Sequence, residues 1–542
     1  MSITIIQAVL LGLCIGIWKC ALPYTLGAFN GMSVLFNAAI VGLIMGDVPH
    51  AMMIGAGLQL VFLGVISTGG SQATDPGIAS YVAIPIALTT GLDANAAIAL
   101  AVPVGILGTQ LMNLSFFIGG FMSQRGNSYI ERGNEKGMAR WAVYVNGLIR
   151  IVLFASVTTI ALLFGSNVLQ NVLNNIPSFV TNGLSAMGSC LPAVGFAIIA
   201  SLISKPRYMP FFFAGFFFIQ YTKISIIPML LLGLFMTFLY IRFTKSEYVF
   251  DDREDDEDGD EEIVEENIVR LLSKKDIFKA WMKWWFLAEA SHSFDRMQGA
   301  SFCHAIAPSL RKFYVGEENK PRYIEALKRH MQFFNSEAHW GGGPALGLSL
   351  ALEEKKASDY EAVPGEMIVN LKTSLMGPLA GVGDTITWST LMYLFIGMFL
   401  PLAEKGNILG GIMPGILMTI YGCGVGYFLT YQSYKYGYSF AEKMLESGII
   451  NMIIAGASVL GLFMMGGLAA TYVTVSTPLE ITLNTFSATV QSIFDSILPG
   501  ILPLALVMAV WAYLSKVKRN YLVATIGVTI FAMVFGAFGI IA

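Results

Sequence analysis

The chain has 542 residues, 55% of them hydrophobic and only 13% charged, with a mean hydropathy of +0.65. A soluble globular domain carries about a quarter charged residues, and several uncharged runs here exceed the roughly 18 residues that mark a membrane span, so the bilayer, and not a large water-facing core, is the expected solvent. The net charge is −3 and no basic face with interleaved aromatics occurs, which excludes nucleic acid as a partner.

In chain order, residues 1–13 lack a basic flank and a small-residue cleavage site, and so read as a first membrane segment and not a removable signal peptide. Residues 2–243 form an apolar half, with uncharged stretches at 51–74, 94–124 and 151–204 and a run at 208–240 interrupted only by Lys223. Many of these are broken by Gly and Pro, so some are expected to be half-helices or re-entrant hairpins. Arg125, Arg132, Lys136 and Arg140, with Glu131 and Glu135, mark a cytoplasmic loop. Residues 251–266 are almost continuously acidic, which self-repels and reads as a solvated tether; an acidic docking site is the sharper alternative. Ser273 and Asp276 resemble a capping box opening a helix with Ile277, Phe278, Trp281, Trp284, Trp285 and Leu287. That helix suits either the membrane interface or packing on protein. Residues 311–372 hold most of the remaining charge and are expected in water at the membrane surface. Hydrophobicity returns near Leu375. At the end, 496–514 and 521–542 read as two full spans joined by a cytoplasmic loop with Lys516, Lys518 and Arg519, which puts the C-terminus outside.

The chemistry begins with what is missing. No phosphate-binding G-x-x-x-x-G-K-[ST] loop occurs, nor H-E-x-x-H, nor G-x-S-x-G, so transport energy must come from an ion gradient or another protein. Cys14, Cys20, Cys190, Cys303 and Cys423 are scattered and read as small buried residues, with no disulfide framework, metal site or cofactor expected. His292, His304, His330 and His339 fit no usual ligand spacing. In the first half, Gly55-Ala56-Gly57-Leu58-Gln59 leads into 69–77, and the backbone of this stretch is not expected to stay helical. Gln59 and Asp75 there supply acceptors for sugar hydroxyls, although Asp75-Pro76-Gly77 also reads as a capped turn. The second half has a counterpart in 376–384, a Gly/Pro-broken run closed by Asp384. Residues 176–192 loosely echo 493–503, and broken segments at matching places suit an internally repeated transporter. Between the halves, His292, Asp295, Arg296 and Gln298 pack polar groups beside an apolar stretch, and Asn335 closes a second polar motif. Asp295 and Arg296 fit hydroxyl clamps or structural ion pairs equally.

Phe294-Asp295-Arg296-Met297-Gln298, residues 329–335, Leu350-Ala351-Leu352-Glu353-Glu354 and residues 376–384 closely resemble the IID subunit of the mannose/fructose/sorbose family of bacterial phosphotransferase systems. Gly42…Gly46-Asp47, Gly64, Asp75…Ala79-Ser80, residues 180–184 and residues 208–216 resemble its IIC subunit. The resemblance covers nearly the whole chain except the acidic tether. It implies an all-α polytopic protein of the bacterial cell membrane, with two membrane halves of broken and re-entrant helices related as an inverted pseudo-repeat. The implied units are a IIC-like membrane domain at 1–245, an acidic linker at 246–267, a helical cytoplasmic segment at 268–374 and a IID-like membrane domain at 375–542. The implied partners are a sugar, soluble phospho-IIB and IIA subunits, membrane lipid and two further copies in a homotrimer; the phosphorylated histidine would reside on the other subunits.

Some positions depart from the family. His292-Ser293 stands where Trp-Asn is common and Asp295 where Glu is common. The usual Pro after Asn335-Ser336 is replaced within 337–341, Thr74 stands where Pro often precedes Asp75, and Gln59 stands where some mannose-specific members carry Glu. These changes alter which hydroxyls are matched and point away from mannose or glucose, leaving a ketose, an amino sugar or a sugar acid open. The expected sugar contacts are Gln59, Asp75, His292, Asp295, Arg296, Gln298, Asn335 and Asp384, with Asp295 and Asp384 alternatively structural. A symporter using Asp75 and Asp384 for a coupling ion is the rival reading; a scaffold without transport has no feature in its favour.

Overall fold

The structure is a computed structural model that describes residues 3–62, 74–91, 94–173, 178–203, 206–224, 226–248, 270–361, 363–437, 449–483, 486–517 and 521–541. Backbone groups in lipid must be satisfied within the chain, and helices do this segment by segment. The first half runs α1 Ile5–Lys19, α2 Tyr24–Met32, α3 Val34–Met45, α4 Val48–Phe62, α5 Pro76–Thr90, α6 Ala94–Ile130, α7 Glu135–Ala139, α8 Asn146–Leu173, α9 Ser178–Ile203, α10 Met209–Thr222 and α11 Ile226–Tyr248. The second half runs α12 Lys274–Leu287, α13 Gly299–Phe313, α14 Lys320–His330, α15 Gly343–Ser358, α16 Gly365–Gly383, α17 Met392–Glu404, α18 Leu409–Tyr436 and α19 Ile449–Tyr472. A small antiparallel hairpin follows, β1 Glu480–Leu483 with β2 Phe486–Thr489, then α20 Val490–Ile497, α21 Ile501–Ala512 and α22 Tyr521–Ala537. Among the described residues five helical segments are long and apolar enough to span a bilayer, or seven if each of two bent pairs is one span.

The halves are interlocked. Within the first, α1 lies along α8; within the second, α15 lies along α18. Across the divide, α19 packs on α10 and α11, while α21 and α22 pack on α9. One hydrophobic core therefore runs through both halves. The α10–α19 contact is made by missing side chains. A Cβ at Gly215 would fall on the Phe463 carbonyl, and one at Gly466 on the Phe212 carbonyl. Between apolar helices in lipid, such close approach supplies the dispersion that hydrophobic exclusion does not. The expected 125–140 loop is mostly helical, Arg125 lying in α6 and Lys136 in α7, and α7 meets the charged segment, with Glu135 contacting both Arg311 and Tyr323, so the two share one side of the molecule.

Several sequence expectations change. Gly55 and Gly57 are helical inside α4, because the tight packing of Gly55 on Ala38 needs the helix and not an unwound strand. Residues 376–383 are likewise helical inside α16, and the irregularity comes after them as a π-helical stretch, Asp384–Leu391. The 176–192 and 493–503 segments differ in shape. α9 continues through Pro192, whereas α20 and α21 meet at a 77° bend with Gly500 at φ +74°. The span expected at 496–514 is thus broken. The first segment is also bent, by 118° between α1 and α2, at a turn followed by Pro23 as the N-cap of α2. The capping box of Ser273 and Asp276 is formed, and the tryptophan face of α12 packs on protein: Trp281 and Trp284 are fully enclosed. The 311–372 segment is less wet than its charge implied, since Arg329, His330, Glu353, Glu354, Lys356 and Lys372 are all buried. Residues 69–73, 176–177 and the acidic run 251–266 lie outside the described residues.

Candidate functional site

The first-half site is built where helix ends meet. Lys19 closes α1 and Asp75 caps α5, so each charge faces the helix terminus that favours it. Lys19 Nζ donates to Asp75 Oδ1 at 2.6 Å, with both side chains at 3% exposure or less. Asp75 Oδ1 also accepts from the Ile78 amide at 3.0 Å, while its Oδ2 has no partner among the described residues. The cap reading of Asp75 is thus met through Oδ1 alone. Around this pair, Asn37 Nδ2 donates to the Asn30 carbonyl at 2.8 Å and to Ser80 Oγ at 3.0 Å, and Ser80 Oγ donates to the Gly77 carbonyl at 2.8 Å. Gln59 Oε1 accepts from the Leu35 amide at 3.2 Å, leaving its Nε2 unpartnered. Gly105 and Gly108 of α6 leave room for Asp75; a Cβ at Gly108 would stand 2.8 Å from the Asp75 Cβ.

The second-half groups sit on a folded-back loop. Gln298 Nε2 donates to Glu289 Oε1 at 2.8 Å and to the Ser336 carbonyl at 3.0 Å, and its Oε1 accepts from the Ser336 amide at 3.0 Å. Every arm of that amide is occupied in clamping 334–336 to 289–298. His292 Nδ1 pairs with Glu289 Oε2 at 2.9 Å; Nε2 is unpartnered. Burial opposes ionisation of Glu289, but His292, Gln298 and Arg150 outweigh it and hold the carboxyl below its ordinary value. Glu337 accepts from the His339 and Trp340 amides at 2.9 and 2.7 Å and bonds His339 Nδ1 at 2.6 Å, capping the π-helical turn Ala338–Gly342. A Cβ at Gly383 would meet Glu337 Oε2 at 2.6 Å, which sets Asp384 next along the chain from this carboxylate.

Two buried polar links join the halves. Arg150 of α8 donates to the carbonyls of Glu289 at 2.9 Å, His292 at 3.3 Å and Lys19 at 3.4 Å, and Asn146 Nδ2 adds a second bond to His292 at 3.2 Å. Thr25 of α2 bonds His339 Nε2 at 2.7 Å and accepts from Trp285 Nε1 at 2.8 Å. Lys19 thus bonds Asp75 directly and reaches the His292 loop through Arg150. Deeper in the charged segment, Glu353 bonds Arg329 Nε at 2.7 Å and His330 Nε2 at 2.9 Å. Burial pushes His330 down to about 4. Glu353 is held at about 2: burial opposes that, and His330 and Arg329 prevail.

Of the residues expected at the site, Asp75 pairs with Lys19 and Gln59 bonds the Leu35 amide, both in the first half, and His292 and Gln298 share the Glu289 network. Arg296 Nη1 donates to the Met331 carbonyl at 2.7 Å and faces Asp295 at 3.6 Å, with Asp295 exposed. The Asn335 amide contacts Met376 Sδ at 3.1 Å. Lys19, Asn30, Asn37, Arg150, Glu289 and Thr25 were not anticipated. Lys19 had a signal, being the sole charge before Asp47 in an apolar run; amides at 30 and 37 carry no such mark. Among the described residues no three His, Cys, Asp or Glu side chains are grouped to hold a metal.

The family model described as PTS system sorbose-specific IIC component matches residues 5–239, and that of the PTS system mannose/fructose/sorbose family IID component matches residues 271–541. The chain is 35% identical over 244 residues to the PTS mannose-specific EIID component of Escherichia coli K12, covering 44% of this chain and 84% of that one. It is 34% identical over 254 residues to the fructose permease IID component of Bacillus subtilis 168, covering 45% and 89%. It is 28% identical over 246 residues to the Escherichia coli K12 mannose-specific EIIC component, covering 45% and 90%. A cryo-EM structure of the mannose transporter ManYZ in complex with microcin E492 has 32% identity and a TM-score of 0.29, covering 50% of this chain and 98% of that one. With each half matched by its own model and the acidic run between the matches, the chain belongs to the mannose/fructose/sorbose family of phosphotransferase permeases, as a fusion of its IIC and IID components.

Proposed function

We propose that this chain binds a sugar between its IIC-like and IID-like halves and presents one hydroxyl, on the inner side, to the phosphohistidine of a separate IIB subunit. As a IIC–IID component it is a multi-pass permease of the bacterial inner membrane, working with IIA and IIB subunits. The observation that supports the shared site is the buried joint in which Arg150 and Asn146 grip the His292 carbonyl while Thr25 grips His339. In this reading the joint, through Lys19 and Arg150, brings Asp75, and with it Gln59, toward the loop that carries His292, Asp295, Arg296, Gln298 and Asn335. Asp384 follows Gly383 against Glu337. In this reading Asp75, Gln59, His292 and Asp384 face the sugar, while Gln298 and Arg296 hold the loop in place.

The chain supplies position and a dry site, not a nucleophile. The sugar oxygen attacks phosphorus, the P–N bond to the IIB histidine breaks with its electron pair returning to the ring, and the hydroxyl proton leaves to that ring or to water. The finer reading places the units at 1–245, 246–267, 268–374 and 375–542, relates the membrane halves as an inverted pseudo-repeat, and assembles three lipid-surrounded copies. The test uses vesicles containing the protein and labelled sugars, with and without phospho-IIB. Sugar phosphate that accumulates only with phospho-IIB is the expected result. Uptake of free sugar that collapses with a proton or sodium ionophore would favour a symporter and overturn the proposal.

A further inference from the structure

This inference rests on the permease reading and concerns which side chain reads the sugar. Asn30 of α2 is fully enclosed, yet neither Nδ2 nor Oδ1 has a hydrogen-bond partner among the described residues. Asn37 Oδ1, Gln59 Nε2 and Asp75 Oδ2 are enclosed in the same state. Their helices are linked: Gln59 bonds the Leu35 amide of α3, the helix that carries Asn37. Asn37 bonds the Asn30 carbonyl and Ser80, and a Cβ at Gly31 would stand 3.8 Å from Lys19 Nζ, whose partner is Asp75. Each unpaired buried polar atom carries its full desolvation cost, so a purely structural core does not gather five of them.

The inventory points to a ligand class. Asn30 and Gln59 offer N–H donors; Asn30, Asn37 and Asp75 offer acceptor oxygens. A hydroxyl both donates and accepts, so neighbouring hydroxyls match a mixed set. A bare cation requires oxygens alone and would meet two amide NH₂ groups and the Lys19 ammonium. The Asp75 charge is already answered by Lys19 at 2.6 Å, which leaves the cluster neutral as a whole.

We propose that Asn30 is the specificity-determining residue of the sugar site, its amide taking two adjacent hydroxyls of an uncharged sugar while Asp75 Oδ2 and Asn37 Oδ1 accept from others. The enclosed atoms have no accessible area in this closed arrangement, so the sugar enters when α2 parts from α5. The unpaired groups favour that parting, because sugar hydroxyls then satisfy them.

The test measures equilibrium binding of radiolabelled D-fructose, D-mannose, D-glucosamine and D-gluconate to the full chain in nanodiscs. Asn30→Leu fills the same space without the polar atoms; it weakens binding of the neutral sugars at least tenfold and does not lower the unfolding temperature of the sugar-free protein. Asn30→Asp adds a second carboxylate near Asp75 and shifts the glucosamine-to-fructose affinity ratio at least tenfold toward the cationic sugar. An unchanged ratio in Asn30→Asp overturns the proposal, whether or not the Leu variant folds. Sugar phosphate formation by the unmodified chain with phospho-IIB is assayed separately. Its absence beside intact, Asn30-dependent binding counts against the permease reading and leaves the role of Asn30 standing.

Discussion

Glu353 is enclosed with three partners, Arg329, His330 and the Tyr314 hydroxyl, and its proton affinity is tied to that of His330. His330 titrates at about 4 in the folded chain against an ordinary 6.5, so as the pH falls the unfolded chain takes up the proton first and stability declines. Glu353, at about 2 against 4.5, acts with the same sign at lower pH: its contribution is present above 4.5 and is lost toward 2. Between pH 6.5 and 4 the histidine alone removes roughly 2–3 kcal/mol. The expected result is a thermal unfolding midpoint that falls from pH 7 to pH 5, and a shallower fall in His330→Gln, which keeps a donor for Glu353 but does not titrate. Equal slopes in both proteins would refute it. At this scale the sequence made Asp75 and Gln59 visible, because a polar group in an apolar run advertises its cost. It hid Arg150, whose partners are backbone carbonyls 131 to 142 residues away in the chain, and Glu289, whose partners His292 and Gln298 meet it only once the loop folds back. It also misplaced Glu353 and Lys372 in water, because charge density in a segment says nothing of ion pairs that close over it.

Helix contacts in this molecule turn on which glycines face another backbone. Gly466 of α19 lies against the Phe212 carbonyl and 2.8 Å from the Phe216 amide, measured from where its Cβ would stand, whereas Gly527 of α22 has nothing within 4 Å. The same residue type therefore has opposite expectations. Gly466→Val forces α19 off α10 and lowers stability by about 3 kcal/mol or more, since a packed helix contact overfills by strain. Gly527→Ala is neutral or stabilising by up to about 1 kcal/mol, the usual helix preference for alanine. Unfolding midpoints of the two variants in the same detergent decide this, and a loss in Gly527→Ala equal to that in Gly466→Val would contradict the packing argument. Element by element, the sequence was readable where local chemistry acts alone, as in the Ser273–Asp276 capping box. Helix breaks were less readable. Gly and Pro in 376–383 stay helical in α16, while the sharper bends follow Lys19 and Leu498. Proline removes one hydrogen bond, and whether a helix bends there depends on what packs across it.

In the whole molecule, the fusion is held by its interior more than by its linker. Arg150, Asn146 and Thr25 of the first half bond groups of the second in buried positions, and α19, α21 and α22 pack on α9, α10 and α11. The second half also has its own anchor where the described chain resumes. Glu354 accepts from the Leu271 and Leu272 amides at 2.6 and 3.0 Å and from the Tyr434 hydroxyl, and it pairs with Arg270. Residue 270 is thus fixed by α15 and α18, independently of what precedes it. The sequence displayed the division, through charge scarcity on either side of the acidic run; it gave no sign that the halves interlock, because that depends on long-range contacts between segments each apolar in its own right. It follows that residues 1–248 and 270–542, co-expressed as two chains, reassemble, co-purify and unfold together within a few degrees of the intact protein. A tether raises the effective concentration of its ends but adds no contact. Either piece alone leaves Arg150 or the His292 loop without buried partners and exposes the Gly215 or Gly466 face, so each expressed singly is recovered in low yield or aggregated. Failure of the two pieces to co-purify, with each found stable alone, would show that the acidic tether and not the interior joins the halves.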